Sequence, residues 1–188
     1  MDSLDSLQLV SLQTARLVLR AFQARDVDAV FEYASDPEWQ RYLPVPSPYT
    51  LEDARAFIDM QLAADPKTMP HWAIIHQGSV IGGIGIGFFE DYNLKVGELG
   101  YSLKRSEWGQ GFITEAATTV INYAFDTNPN LIRIEASADS RNKASLKVMD
   151  KLGMQYEGVL RQRHVVRDEL GDEVYYSMLR SEWASQGG

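Results

Sequence analysis

At 188 residues, with 45% apolar and 23% charged side chains, the chain has the composition of one globular domain, which excludes a disordered or fibrous protein. The formal charge of −8 argues against nucleic acid as a partner, because neutralising phosphates takes clustered lysine and arginine, while a cationic amine would be weakly attracted. The absence of cysteine excludes a thiolate nucleophile, disulfides and cysteine-bound zinc, and the three histidines give no pattern that would hold a metal.

In chain order, residues 17–22 read as a strand and 26–35 as a helix with Val27, Val30, Phe31 and Ala34 on one face. Pro37, Pro44, Pro46 and Pro48 then interrupt the pattern, marking either a connection or the wall of a pocket. Thr50-x-x-Asp53 resembles a capping box opening a helix to about residue 64, with Ala54, Phe57, Ile58 and Leu62 inward. Residues 71–76 and 79–90 form a predicted hairpin across Gln77-Gly78, which puts His71 and His76, five apart, on opposite strand faces. In its second strand Gly83, Gly85 and Gly87 share one face, suiting a tightly packed helix or a close-lying ligand.

Residues 95–103 are the next predicted strand, followed by a glycine loop and a helix from 112 to about 126. A strand over 131–138, a helix over 142–152 closed by Gly153, and a hairpin of 156–166 with 174–179 across 168–172 complete the pattern. The expected fold class is α/β, one domain over residues 1–188 built around a central mixed sheet. No apolar run approaches the ~18 residues that span a membrane, and residues 1–12 carry two aspartates and no basic residue, unlike a signal peptide, so a cytoplasmic location is expected.

Trp108-Gly109-Gln110-Gly111-Phe112-Ile113-Thr114 joins the 95–103 strand to the next helix. Two glycines let main-chain N–H groups converge, and the helix start adds partial positive charge, so the segment can cradle a phosphate; taken alone it can equally be an ordinary turn. Asn142-Lys143-Ala144-Ser145, 31 residues after Gly111, repeats the strand-to-helix arrangement. Two such junctions can flank one elongated, phosphate-bearing ligand.

The order Glu98-x-Gly100-Tyr101, Trp108-Gly109-Gln110-Gly111, Thr114-Glu115-Ala116, Arg133-x-Glu135, Asn142-x-x-Ser145, Lys151-Leu152-Gly153-Met154 and Glu157-Gly158 resembles the GNAT superfamily of N-acetyltransferases, and within it the RimJ/RimL branch. Thr14-x-Arg16-Leu17-x-Leu19-Arg20 looks like that branch's first strand, and Asp172-x-x-x-Tyr176 with Leu179-Arg180-Ser181-Glu182-Trp183 like its last. The resemblance implies a mostly antiparallel, twisted sheet flanked by helices with a splayed cofactor strand, acetyl-CoA as co-substrate, no metal, and an amine acceptor that is a peptide N-terminus or a small molecule. It also leaves room for a homodimer, through the terminal hairpin or a free sheet edge.

By the same resemblance, main-chain N–H groups of residues 108–113, with Thr114 beside them, would hold the pyrophosphate, and Ser106 stands where many relatives carry a contacting Arg or Gln. The pantetheine arm would pair like an added strand with Leu99, Gly100, Tyr101, Ser102 and Leu103. Asn142 would bond that arm or cap its helix, or both. Glu98 is the first candidate base, with an ion-paired or solvated carboxylate as its alternative; His164 is the second, with a partly exposed strand histidine as its alternative. Ser145 would donate a hydrogen bond to the departing sulfur, in place of the tyrosine many relatives carry where this chain has Met149, or would only cap the helix.

The Tyr101 N–H would polarise the thioester. Lys143, Lys147 and Lys151 form one stripe, read as a solvated face, and Arg141 near its start could meet the 3′-phosphate; Glu115 would favour its helix dipole. An α-amine near pKa 8 costs only about 1 kcal/mol to deprotonate at pH 7 against about 4.6 for a lysine, so a weak base suffices for the former. The competing reading from another class is a noncatalytic acyl-CoA-binding module on the same fold.

Overall fold

The computed structural model describes residues 9–91 and 94–185; residues 1–8 of the leader reading lie outside these. Among the described residues, β1 (Leu12–Gln13), β2 (Val18–Ala21), β3 (His71–His76), β4 (Ser79–Asp91), β5 (Leu94–Leu103), β6 (Leu131–Asp139), β7 (Gln155–Val166) and β8 (Glu169–Leu179) form one sheet. The spatial order is β1-β2-β3-β4-β5-β6-β8-β7. Every neighbouring pair is antiparallel except β5 and β6. A parallel pair needs a crossover, and α4 (Phe112–Thr127) supplies it.

Two helical layers sandwich the sheet. On one face α4 buries Phe112, Ile113, Ala116, Ala117, Val120, Ile121, Ala124 and Phe125 against Leu19, Trp72, Ile84, Ile86, Leu99 and Ile134. Each large side chain among them contributes roughly 1.5–3 kcal/mol of burial, so this helix is fixed to the sheet along its whole length. On the other face α1 (Val27–Ala34), α2 (Pro37–Gln40) and α3 (Leu51–Ala63) close over Phe22, Tyr33, Tyr49, Ile58 and Ala73. α5 (Lys143–Lys151) and α6 (Arg180–Ser185) are the remaining α-helices among the described residues.

Local signals account for most boundaries. Thr50 and Asp53 form the expected reciprocal cap, Asp53 N–H to Thr50 Oγ1 at 3.2 Å and Thr50 N–H to Asp53 Oδ2 at 2.8 Å. Gly153, at φ +74°, ends α5, and the Met154 N–H returns to the Met149 carbonyl at 3.2 Å. Leu62, expected inward, is exposed because α3 turns only Ala54 and Ile58 fully into the core.

The glycine face of β4 lies under α1, with the side chains of His71, Phe22 and Met69 and the Pro70 carbonyl nearest the glycines themselves. Two other expectations change. The last hairpin turns at Arg167-Asp168, both at positive φ, so β8 starts at Glu169 and the turn is shorter than residues 168–172. Residues from Arg180 form a helix, with the Glu182 carboxylate accepting from the Leu179 N–H at 2.8 Å, instead of extending the last strand.

Candidate active site

Along its β4 side, β5 is paired without a break from Leu94 opposite Asp91 to Leu103 opposite Gly82. Its pairing with β6 stops at Glu98 opposite Glu135. Beyond that point β6 stays with β8, Ala136 to Asp139 pairing Tyr176 to Glu173, so the two strands part and residues 99–103 show one backbone edge to an opening in the sheet. Backbone polar groups at such an opening need a partner, and an extended ligand can supply one.

A cleft of about 500 Å³ occupies this opening. Its walls are the end of β5, the loop into α4, the first turns of α5, and Glu38 to Leu43 around α2. Tyr101 and Ser102 point to opposite faces of β5, yet both line it, because the cleft passes between the parted strands.

The glycine loop is a left-handed bend. Gly109 and Gly111 have φ of +77° and +81°, and Gly111 is the N-cap of α4. A Cβ at Gly109 would meet nothing within 4 Å, and one at Gly111 only Arg16 Nη2 at 3.6 Å. Glycine is therefore required here by backbone conformation, and the space over the bend is open, as a phosphate cradle needs. Trp108 steadies the approach, its indole N–H donating to the Leu103 carbonyl at 2.7 Å, which removes that carbonyl from those available to a ligand.

At the second junction, Asn142 Oδ1 accepts the Ser145 N–H at 3.2 Å, so the capping role of Asn142 is realised while its amide nitrogen makes no hydrogen bond among the described residues. Ser145 Oγ lies 2.8 Å from Tyr101 Oη. Burial pushes the Tyr101 phenol up to about 12, against a smaller lowering by the Ser145 hydrogen bond. Met149 is buried one turn below Ser145.

Of the residues singled out from the sequence, 101–103, 108, 109, 111–114, 142 and 145 line the cleft. Leu99 is buried on the face that receives α4, and Gly100 is exposed beside it. Gln110 turns its side chain to Glu107, 3.0 Å away. Glu98 is not among the residues lining the cleft; it is exposed at the last paired position before the strands part and forms no ion pair among the described residues. His164 is not among the residues lining the cleft: a bulge in β7 with Gln162 at φ +51° sets it opposite Gly171, and its Nε2 lies 3.0 Å from the fully buried carboxylate of Asp139.

Side chains outside the motifs complete the site. Arg16 pairs with Glu115 at 2.7 Å and donates to the Gln110 carbonyl at 3.0 Å, clamping the loop from the far edge of the domain; Glu115 thus has an ion-pair partner besides the helix dipole assigned to it. Lys143, Lys147 and Lys151 are exposed, as the solvated-face reading has them, and they also line one wall of the cleft. Arg141 lines the cleft and pairs there with Asp139 and Glu169, at 2.7 and 2.6 Å. Arg167, at the tip of the last hairpin, donates to the Val45 and Gln40 carbonyls at 2.8 and 3.0 Å and braces the proline-rich wall. Among the described residues no His, Asp or Glu cluster could hold a metal ion, and no helix is long and apolar enough to cross a membrane.

Comparison with known proteins agrees with this geometry. Residues 16–155 match the acetyltransferase (GNAT) domain family. The chain is 35% identical over 178 residues to the uncharacterised N-acetyltransferase p20 of Bacillus licheniformis, covering 93% of this chain and 98% of that one. A crystal structure of a GNAT-family acetyltransferase from Bacillus anthracis superposes with a TM-score of 0.80 at 29% identity, covering 92% of this chain and all (100%) of that one. RimL, a ribosomal L7/L12 alpha-N-protein acetyltransferase solved with coenzyme A, shares the fold with a TM-score of 0.81 at 20% identity, covering 92% and 99%. The chain belongs to the GNAT family of N-acetyltransferases.

Proposed function

We propose that the protein transfers the acetyl group of acetyl-CoA to a primary amine, a protein N-terminal α-amine or a small-molecule amine, by direct attack in a ternary complex. The observation that carries this reading is the parting of β5 from β6 beyond Glu98 and Glu135, with two helix N-termini, at Gly111 and Asn142, facing one cleft. Without cysteine in the chain, no cysteinyl acyl-enzyme stands between donor and acceptor.

The open left-handed bend at residues 109–111 supports a main-chain pyrophosphate site, to which the helix end adds roughly 0.3–1 kcal/mol of charge stabilisation. The unpaired edge of residues 99–102 supports strand-like binding of the pantetheine arm, with the Asn142 amide nitrogen as a further donor. Ser145 donates to the departing sulfur, and the Tyr101 N–H polarises the thioester carbonyl. Glu98, exposed where the strands part and free of ion pairing among the described residues, is the base, acting directly or through water. His164 could serve only through the ring nitrogen not turned to Asp139, and it comes second.

Trp39, Arg41, Tyr42 and Leu43 form the cleft wall that suits an acceptor. The exposed apolar side chains Tyr156, Val159, Leu160 and Val165 on the sheet-edge strand β7 suit a homodimer, and the chain's features suit the cytoplasm.

The test is an amine panel of short peptides, polyamines and aminoglycosides, each supplied with acetyl-CoA and followed by CoA release. Release with one amine class supports the reading. Tight acetyl-CoA binding without release for any amine would instead indicate a noncatalytic binding module.

A further inference from the structure

Ser145 is the third residue of α5, in its first turn, where no preceding helical turn offers the hydroxyl a carbonyl. The only hydrogen-bond partner of Ser145 Oγ among the described residues is Tyr101 Oη, 2.8 Å away, and that phenol also lies 3.2 Å from the Ser145 carbonyl. The partner comes from β5, across the cleft that both residues line.

From this contact we infer that the Tyr101 hydroxyl is a positioning residue for acyl transfer: it fixes the Ser145 hydroxyl so that the serine hydrogen is available to the sulfur of CoA. This deepens the role proposed above for Ser145 and rests on that reading.

The proton inventory explains how. The pair holds two O–H hydrogens and three acceptors, the two hydroxyl oxygens and the Ser145 carbonyl. In one arrangement the phenol donates to the carbonyl and the serine donates to the phenol, so no hydrogen faces the cleft. In the other the phenol donates to Ser145 Oγ, and the serine O–H is released toward a ligand. Negative charge growing on sulfur favours the second, and the phenol's own hydrogen bond makes the serine a stronger donor. No covalent bond to either residue forms or breaks. Burial keeps the phenol protonated, with a pKa near 12, so it remains a donor throughout the working range. Met149, buried one turn beyond Ser145, offers no hydroxyl there, which leaves the β5 tyrosine to complete the donor pair.

The test measures the thiol pKa of CoA bound to the wild type, Tyr101→Phe, Ser145→Ala and the double variant, by thiolate absorbance across pH, so it needs no acceptor amine. Tyr101→Phe retains the ring and the main chain. It is expected to raise the bound thiol's pKa by about one, as Ser145→Ala does, and to leave CoA affinity at neutral pH within about twofold. The double variant should shift no further than Ser145→Ala. Unchanged thiol pKa in Tyr101→Phe, or full additivity in the double variant, overturns the inference while leaving the proposed function standing. A wild-type protein that binds no CoA overturns both.

Discussion

Arg16 and Glu115, 99 residues apart, meet through two contacts of 2.7 Å, and the same guanidinium lies 4.4 Å from the centre of the Phe112 ring. The pair joins the segment before β2 to the first turn of α4, and the Arg16 bond to the Gln110 carbonyl extends it to the glycine bend. An arginine that is not itself among the residues lining the cleft thereby holds the loop whose amides face it. Arg16→Ala should lower acetyl-CoA affinity about tenfold, the scale of one lost charge-assisted contact, with a smaller effect on turnover at saturation. Isothermal titration and saturation kinetics separate the two effects, and unchanged affinity would show the bend to be rigid by itself.

The lysines of α5 make a second electrostatic prediction. In a chain of net charge −8, Lys143, Lys147 and Lys151 place local positive charge along one wall of the cleft. Lys147→Gln and Lys151→Gln should each weaken acetyl-CoA binding about threefold at low ionic strength. The differences should vanish near 1 M salt, where the screening length is about 3 Å. Binding insensitive to both substitutions at every salt concentration would return the stripe to a merely solvated role.

The two candidate bases separate by pH-rate profile. Glu98→Gln should remove the acidic limb of kcat/KM and lower the rate about 100-fold or more for an amine of ordinary basicity, whereas His164→Gln should keep the limb. The second expectation follows from the engagement of His164 with Asp139, whose carboxyl is held well below its ordinary value first by the Arg141 hydrogen bonds and further by His164, against a burial effect of opposite sign. If His164→Gln alone abolishes the limb, the roles exchange; if neither does, water or the substrate itself suffices.

His71 gives a stability prediction independent of activity. Its ring packs edge-on against Phe22 and Phe57, at 5.4 and 5.9 Å between ring centres, and burial depresses its pKa to about 4. Because the folded state resists protonation, an unfolded chain binds more protons between the free value of about 6.5 and the folded one. Folding stability should therefore decline as pH falls from about 6.5 toward 4, and this part of the decline should be absent in His71→Gln. Chemical denaturation at a series of pH values measures it; parallel curves for the two proteins would show that His71 protonates as freely folded as unfolded.

Local chemistry made much of this molecule legible beforehand. The capping box at Thr50, the stop at Gly153, and the strands and helices bracketing the two junctions all rest on residues within a few positions of one another. The resemblance to a family located the loop and the parted strand. What escaped was long-range or set by a single backbone irregularity. Nothing near Arg16 indicates Glu115, and nothing in the spacing of three lysines says that their exposed helix face also borders a cleft. The resemblance puts His164 forward by its distance from Asn142-x-x-Ser145, and the bulge with Gln162 at positive φ changes what a count can say about side-chain direction. The two-residue turn at Arg167-Asp168 was hidden because neither residue is glycine, although both take positive φ.

The most direct test is a crystal structure with acetyl-CoA bound. The account predicts the pyrophosphate within hydrogen-bond distance of main-chain N–H groups between Gly109 and Ile113, the pantetheine amides paired with the open edge of residues 99–102, and the sulfur beside Ser145. Acetyl-CoA lodged elsewhere, with the glycine bend empty or filled by neighbouring side chains, would contradict it.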